Sequence, residues 1–433
     1  MTLQEATSTT LSCSAEPISD GQARRDVTAK RIIFVNRYFY PDHSATSQIL
    51  TDLAFHLAEE GHAVRVLTST QRYDDPRAQL SADERAAGVA ISRLATTRFG
   101  RSALLGRGVD YLSFYHAAWR SILDQASPGD VLVVKTDPPL LSVVAMQAAK
   151  RRGLRLVNWL QDLYPEAAVE LGVPFLGRPV AGVLTSLRDA TLRSAEANVV
   201  IGERMAETLR SHGVPSGRIH VIPNWCDDEQ IRPVAHDSNP LRREWGLEDK
   251  FVVGYSGNLG KAHEFDTVLE AAEILRDDPR IIFLFIGGGS KFDVLARLVS
   301  ERKLDHCFRF LPYQDRSALR YSLGLPDIHL VSLKPELEGL IVPSKFYGIA
   351  AAGRPIIAVT ARDGELARLV QINRCGTVIE PGKGQELAAV LRSLSTDAHR
   401  CDEMGLRARA MLDAQFTRKQ AFEKWRGVLE GIT

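Results

Sequence analysis

The sequence predicts an α/β protein with two doubly wound domains that face each other across a crevice. Short apolar strands alternate with helical stretches in both halves of the chain, which is typical of parallel sheets covered by helices. The alternation stops in a polar stretch, Asp228–Pro240, and restarts at Phe251–Tyr255. The chain of 433 residues is long enough for two or three domains. The crevice between two such domains is where we expect a ligand.

The composition excludes several classes of protein. A hydrophobic content of 45% and a charged content of 25% are ordinary for a soluble enzyme. The net charge of +1 gives no indication of nucleic-acid binding. The five cysteines are scattered without a C-x-x-C, which favours a reducing, cytoplasmic compartment over disulfides or a zinc site. Since no run of 18 apolar residues occurs, we expect no transmembrane helix.

The pattern divides the chain into four segments. Residues 1–29 are polar and rich in Ser and Thr, and we expect a disordered tail. Residues 30–232 form the predicted first domain and residues 241–411 the second. A helix in residues 412–433 could cross back to the first domain.

The first domain is predicted from seven short apolar runs. Gln48–Glu60 has apolar residues at helical spacing and ends at Gly61, so the first two strands and this helix form a βαβ unit. The predicted strands are Arg31–Asn36, Ala63–Thr68, Val89–Leu94, Asp130–Val134, Leu154–Trp159, Ala197–Ile201 and Arg218–Ile222.

The stretch Arg98–Leu123 has two interpretations. Arginines flank small and apolar residues, and an aromatic, amphipathic helix follows. Such a helix can lie on an anionic membrane surface. The alternative is a helix packed on the sheet, with its basic entry in solvent.

The motif Q-D-L-Y-P-E follows the fifth strand and contains two candidate carboxylates. A carboxylate at the carboxyl end of a parallel strand points toward the ligand crevice, so Asp162 is a functional candidate. Its alternative role is to cap the next helix. For Glu166 we favour a structural role.

The second domain repeats the alternation and carries two lysines at strand-to-helix junctions. Ser344 and Lys345 stand where a helix begins, and Lys261 lies in S-G-N-L-G-K-A-H, between a strand and the helix Asp266–Leu275. The first N–H groups of a helix lack internal partners and attract anions, so the two lysines could clamp a diphosphate. The alternative is two unrelated, solvated lysines. The predicted strands are Phe251–Tyr255, Ile281–Ile286, Phe308–Phe310, Ile328–Ser332, Ile356–Val359 and Gly376–Ile379.

Two further loops are candidate binding elements. The glycine turn that begins with Gly287 and Gly288 could admit a nucleoside, and His43 and Ser44 follow the first strand and could contact the donor phosphate or the acceptor. A histidine in a polar loop is more often simply solvated. No D-x-D triplet offers carboxylates to a divalent cation, and we expect no metal or other cofactor. The chain also lacks the glycine motifs of dinucleotide-binding oxidoreductases and P-loop NTPases, and the serine elbow of α/β-hydrolases.

Taken together, the motifs resemble a known family. From Lys30 onward the chain is similar to the retaining glycosyltransferases of the GT-B fold, family 4, and most similar to bacterial exopolysaccharide and O-antigen transferases of the fucosyl and N-acetylfucosaminyl type. The motifs that carry the resemblance are Y-F-Y-P, A-E-E-G-H-A-V-R-V-L-T, Q-D-L-Y-P-E, V-I-P-N-W-C-D, Y-S-G-N-L-G-K-A-H, F-I-G-G-G and P-S-K-F-Y-G-I-A-A-A-G-R-P.

The resemblance implies that the second domain binds a nucleotide-sugar donor, UDP- or GDP-linked, and that the first binds the acceptor. Lys261, with the turn at Gly257 and Asn258, would contact the diphosphate. Ser344 and Lys345 would do the same from the other junction, and Pro343 beside them is a candidate substrate-binding residue.

The sequence departs from the family at one position. Relatives usually carry two glutamates with seven residues between them, and the second typically holds the ribose. Alignment on A-A-A-G-R-P puts Gly348 at the second position and Leu340 at the first, whereas alignment on E-G-L-I-V-P makes Glu338 the first. We prefer the second alignment, which makes Glu338 a catalytic candidate.

The expected function is therefore transfer of a sugar from UDP or GDP to a lipid-linked saccharide, at the inner surface of the membrane and without a metal. Lys261 and Lys345 would stabilise the departing diphosphate, and Asp162 would orient the acceptor or stabilise positive charge on the sugar. The alternatives are a nucleotide-sugar 2-epimerase of the same fold and a non-catalytic nucleotide-sugar-binding protein.

Overall fold

The computed structural model describes residues 30–42, 44–73, 80–100, 104–174 and 176–432. The predicted tail, residues 1–29, lies outside the described residues. The first sheet has the strand order β3-β4-β2-β1-β5-β6-β7-β8, and all of its pairings are parallel except that of β3 with β4. Its strands are β1 (Ile32–Val35), β2 (Val64–Ser69), β3 (Asp83–Ala86), β4 (Val89–Leu94), β5 (Val131–Lys135), β6 (Arg155–Trp159), β7 (Ala197–Val200) and β8 (Ile219–Val221).

Helices cover both faces of this sheet, because its central strands are apolar on both sides. On one face lie α2 and α3, with α5 beside α3. On the other face α1 packs. The helices are α1 (Ala45–Glu59), α2 (Leu104–Gln125), α3 (Leu141–Arg152), α4 (Glu166–Glu170), α5 (Arg178–Ser194) and α6 (Glu203–Ser211).

The second sheet is wholly parallel, with the order β11-β10-β9-β12-β13-β14. Its strands are β9 (Phe251–Asn258), β10 (Ile281–Gly288), β11 (Phe308–Leu311), β12 (Ile328–Ser332), β13 (Ile356–Val359) and β14 (Gly376–Ile379). The helices are α7 (Pro240–Glu244), α8 (Asp266–Leu275), α9 (Phe292–Glu301), α10 (Leu319–Gly324), α11 (Lys345–Ala351), α12 (Glu365–Asn373), α13 (Gly384–Leu394), α14 (Ala398–Gln415) and α15 (Arg418–Ile432).

The last helix lies against the first sheet. In α15, Trp425 meets Trp159 of β6 edge to face, with ring centroids 4.5 Å apart. Phe422, also in α15, stacks on His56 of α1 with centroids 4.3 Å apart. The C-terminal helix therefore ties the end of the chain to the first domain.

The two domains are closed on each other and share one hydrophobic core. Leu163 from the loop after β6 and Leu340 from the loop after β12 belong to the same buried cluster. The Leu163 N–H donates to the Leu340 carbonyl at 2.9 Å, and Asp162 forms a one-residue antiparallel bridge with Ile341. A backbone contact thus joins the loop after β6 of the first domain to the loop after β12 of the second.

The structure confirms the predicted fold class, since both sheets are doubly wound. Strand β3 has no counterpart in the sequence analysis. None of the described helices is both long and apolar enough to cross a bilayer.

Candidate active site

The candidate residues gather where the strand order of each sheet reverses. In the second sheet the order reverses between β9 and β12, and in the first between β1 and β5. The loops that follow these two pairs of strands diverge, which leaves a crevice at the carboxyl edge where ligands bind in such sheets. The candidates Lys261, Lys345 and Ser44 lie on these loops or at the ends of the helices that follow them.

Lys345 is the first residue of α11, as the sequence predicts, and its ammonium reaches back to β9. Its Nζ lies 3.7 Å from the centroid of the Tyr255 ring and donates to the Tyr255 hydroxyl. It also donates to the Asn258 carbonyl, at 3.2 Å. Burial holds the Lys345 pKa well below its usual value. A diphosphate within reach would favour the charged form of this lysine.

The glycines of the two strand ends allow β9 and β10 to approach each other closely. A Cβ on Gly287 would lie 2.2 Å from the Gly257 carbonyl oxygen, and Gly287 has a φ of +143°. A Cβ on Gly257 would lie 3.8 Å from the Lys345 side chain, and a Cβ on Gly288 would lie 3.1 Å from the Tyr313 ring. A side chain in place of Gly287 would therefore push the two strand ends apart.

Lys261 lies in the loop after β9, and its side chain is exposed. The next helix, α8, begins at Asp266, so Lys261 precedes it by a loop rather than standing in its first turn. Asn258 is also exposed, at the end of β9. Lys261 and Asn258 therefore present polar groups to solvent at the end of β9. The Lys345 ammonium contacts the same strand end from the start of α11.

Several polar groups in this region were missed by the sequence analysis. The Nδ1–H of His263 donates to the Ser332 carbonyl at 2.9 Å, and burial, with the Lys345 charge, lowers the pKa of His263 to about 3. The hydroxyls of Ser256 and Ser332 and one carboxylate oxygen of Glu264 are buried without a hydrogen-bond partner. Buried polar atoms are nearly always paired, so these three unpaired atoms are candidates for contact with a polar ligand. The only sequence signal for these residues is that they lie at, or just after, the carboxyl ends of predicted strands.

The loop from Glu338 to Ser344 connects this region to the other domain. Pro343 is buried and Ser344 precedes α11, without a side-chain hydrogen bond to the helix N-terminus. The Glu338 carboxylate accepts from the Thr360 hydroxyl at 2.6 Å and from the Glu365 N–H at 3.1 Å. It caps α12, and burial raises its pKa. Glu338 therefore has a structural use in this state, and its predicted catalytic role stays a prediction.

Gly348 occupies the position at which relatives are expected to carry the second glutamate. It is buried in α11, and a Cβ there would lie 3.3 Å from Leu323 of α10. Leu340, the other candidate for the first glutamate, is buried in the core shared by the two domains. Neither position presents a carboxylate to the crevice.

Asp162 lies on the first-domain side of the crevice, near the buried Lys135. Burial and the Asp137 charge raise the Asp162 pKa to about 6, while Lys135 lowers it. The Lys135 ammonium lies 3.7 Å from the Trp159 ring centroid and donates to the Thr46 carbonyl at 3.1 Å. Helix α4 begins at Glu166 with Pro165 before it, so Asp162 does not cap that helix.

The remaining candidate residues are Ser44, His43 and Glu166. Ser44 precedes α1, and its hydroxyl is buried without a partner. His43 lies outside the described residues. Glu166 forms an ion pair with Arg188 at 2.6 Å, which agrees with the structural role favoured for it.

Comparison with known proteins gives the same architecture. Residues 45–225 match the family model "Glycosyl transferase 4-like domain", and residues 237–411 match "Glycosyl transferases group 1". A relative from Escherichia coli (strain K12), named as the colanic acid biosynthesis glycosyl transferase WcaI, is 27% identical over 84% of this chain and 91% of its own. WbjE of Pseudomonas aeruginosa, named as a glycosyltransferase, is 28% identical over 68% of this chain and 73% of its own.

Solved structures agree in fold at low sequence identity. The Anabaena HepE complex with UDP-glucose superimposes with a TM-score of 0.69 at 16% identity, over 93% of this chain and 99% of that one. Sucrose-phosphate synthase from Thermosynechococcus elongatus gives a TM-score of 0.72 at 15% identity, over 93% and 99%. The chain is a glycosyltransferase with the GT-B fold.

Proposed function

We propose that this enzyme transfers a sugar, with retention of configuration, from UDP or GDP to a lipid-linked saccharide in exopolysaccharide or O-antigen biosynthesis. The observation that carries the donor side is the Lys345 ammonium, which reaches from the start of α11 to the Tyr255 hydroxyl and the Asn258 carbonyl at the end of β9. The relative WcaI, named for colanic acid biosynthesis, supports the pathway class. The solved HepE complexes, named with UDP and UDP-glucose, support a nucleotide-sugar donor.

The proposed step breaks the bond between the anomeric carbon and the phosphate oxygen. The acceptor hydroxyl oxygen bonds to that carbon on the same face, and its proton passes to the departing phosphate. Lys345 and Lys261 stabilise the negative charge that develops on the diphosphate, the role that a metal ion plays in other transferases. Asp162, on the opposite wall, orients the acceptor or stabilises positive charge on the sugar.

The experiment is nucleotide release by the purified protein from UDP- and GDP-sugars, with EDTA present, with and without a membrane lipid extract. Release that requires the extract and persists in EDTA supports transfer to a lipid acceptor. Conversion of a UDP-sugar without an acceptor would instead indicate a 2-epimerase. Binding of UDP or GDP without any release would indicate a non-catalytic protein.

Variants test the diphosphate contacts directly. We expect Lys261→Ala and Lys345→Ala each to lower turnover about tenfold or more, as is typical when a group that stabilises transition-state charge is removed. Lys424→Ala, which removes an exposed lysine of α15, is the matched control and should leave turnover unchanged. Near-normal turnover in both crevice variants would contradict the clamp.

A further inference from the structure

The loop that carries Asp162 is held in place by one buried arginine. Arg188 of α5 is only 3% exposed. Its Nη1 donates to the Tyr164 carbonyl at 3.1 Å, two residues after Asp162. Both terminal nitrogens also donate to the Glu166 carboxylate, at 3.1 and 2.6 Å. The guanidinium therefore fixes both the backbone and a side chain of the segment that follows Asp162.

A second carboxylate fixes the orientation of the guanidinium itself. The Nε of Arg188 donates to Oδ1 of the neighbouring Asp189 at 2.7 Å, and Asp189 is also buried. The other oxygen of Asp189 accepts from Nδ1 of His212 at 2.9 Å. All three nitrogens of Arg188 therefore have partners, and a planar fork held in this way has one orientation. A lysine in its place would keep the charge but not the fork.

The same short loop makes the backbone contact with the second domain. Asp162 forms its bridge with Ile341, and the next residue donates its N–H to the Leu340 carbonyl at 2.9 Å. The contacts of Arg188 begin one residue further along the chain. Charge-assisted hydrogen bonds to a buried donor leave this loop little freedom. The position of Asp162 against the second domain therefore depends on Arg188.

Helix α6 connects another contact between the domains to the same network. Its C-terminal end carries His212, the partner of Asp189. At its other end the Arg204 N–H donates to the Glu365 carboxylate of the second domain at 2.9 Å. Both of these domain contacts thus lie on elements that Arg188 and Asp189 join, so the network holds the surface of the first domain that meets the second.

We propose that Arg188 is a positioning residue for the transfer reaction, which places the Asp162 carboxylate against the second domain without contacting a substrate. Because Arg188 is buried, it acts through the loop that it holds. The proposal rests on the proposed function, in which Asp162 acts on the acceptor or on the sugar. An arginine that only stabilised the first domain would change the melting temperature and leave the reaction of the folded enzyme as it is.

The test measures nucleotide release and nucleotide binding by the full chain. Arg188→Lys should lower turnover about tenfold or more, because a small misplacement of a reacting group is costly. The dissociation constant of UDP or GDP should stay within about twofold, since the donor groups of the proposed site lie on the second domain. The matched control is Arg242→Met, which removes an arginine that is 4% exposed and paired with Asp327 at 3.3 Å, at the amino edge of the second sheet. It should lower the melting temperature and leave turnover of the folded enzyme unchanged.

Two further readouts show whether Arg188 acts through Asp162. In an Asp162→Asn background, Arg188→Lys should lower turnover less than about twofold further, since residues that act as a unit are not additive. The pH–rate profile gives the second readout. Burial raises the Asp162 pKa to about 6, and a loosened loop would expose this carboxyl to water, so the acid limb of the Arg188→Lys profile should move to lower pH.

The melting temperature identifies any variant that fails to fold, and Glu166→Gln, which weakens the same ion pair at the milder end, then takes the place of Arg188→Lys. The proposal is overturned if Arg188→Lys keeps wild-type turnover, or if its effect adds in full to that of Asp162→Asn. Full additivity beside a slow Asp162→Asn leaves the proposed function intact. Wild-type turnover by Asp162→Asn would instead overturn the role given to Asp162 in the proposed function, and this proposal with it.

Discussion

Replacing Lys135 by methionine should make the protein more stable and less active. The Lys135 side chain is buried, and burial lowers its pKa to about 7 from the ordinary value of 10.5. Methionine has a similar length and no charge, and its sulfur can take the place of the ammonium over the Trp159 ring. The substitution therefore removes a buried charge and leaves little empty space.

The size of the effect follows from the pKa. Each unit of difference between the folded and unfolded chain corresponds to about 1.4 kcal/mol, so a difference of about 3.5 units destabilises the folded state by about 5 kcal/mol when the lysine is charged. The attraction of Asp137 and Asp162 is already included in that pKa. Loss of the hydrogen bond to the Thr46 carbonyl offsets about 2 kcal/mol, since the donor is charged. A net gain of about 3 kcal/mol remains, which for a chain of 433 residues should raise the melting temperature by about 3 °C.

The dependence on pH gives the sharper test. Because the folded pKa is below the unfolded one, the unfolded chain binds more protons between pH 7 and pH 10.5, and the wild-type chain gains stability as the pH rises through this range. The methionine variant lacks this gain. Its advantage should be full at pH 7 and below and nearly absent at pH 10.

Differential scanning calorimetry at pH 7 and pH 10 measures both quantities, with Lys424→Met as the exposed control. The reasoning is refuted if Lys135→Met melts at or below the wild-type temperature at pH 7. It is also refuted if the advantage is the same at both pH values. Activity should fall meanwhile, because Lys135 lowers the Asp162 pKa and its removal leaves more of that carboxyl protonated at neutral pH.

Three further predictions concern the crevice. Binding of a nucleoside diphosphate should protonate Lys345 and should weaken as the pH rises, because burial holds the Lys345 pKa low in the free protein. Titration calorimetry in buffers of different ionisation enthalpy measures this proton uptake. Turnover should fall as the pH drops through about 6, where Asp162 becomes protonated, and Asp162→Asn should lower turnover and remove this limb of the pH–rate profile. Glu365→Gln should lower the melting temperature by a few degrees and leave diphosphate affinity unchanged, because its carboxylate accepts from the Arg204 N–H at the start of α6 in the other domain.

The sheets could be predicted from sequence because their strands are apolar and β-branched, as in I-I-F-V and V-L-V-V-K. Strand β3, with the sequence D-E-R-A, has no such pattern. It is an exposed edge strand that pairs antiparallel with β4 through a turn at Ala87 and Gly88, both at positive φ. This segment is a strand because it pairs with β4, and its own sequence does not predict that pairing.

In the candidate site, the positions of residues along the chain could be predicted, but their contacts could not. Ser344 and Lys345 could be placed at a helix start from local sequence, because a strand, a loop and a helix follow one another there. The partners of Lys345 could not, since Tyr255 and Asn258 lie about ninety residues earlier and meet it only when β9 and β12 pair. The contact between Glu338 and α12 could not be predicted either, because the Glu338 carboxylate is also held by the hydroxyl of Thr360, which follows β13.

The segment from Glu338 to Lys345 connects the two sides of the proposed reaction. At its start Glu338 caps α12, whose first residue, Glu365, reaches the other domain. In its middle the Leu340 carbonyl accepts from the loop that carries Asp162, and at its end Lys345 begins α11. The distance between Lys345 and Asp162 is therefore set by the contact between the domains. A change that loosens this contact should lower turnover more than it weakens nucleotide binding, because in the proposed reaction the donor groups all lie on the second domain while Asp162 lies on the first.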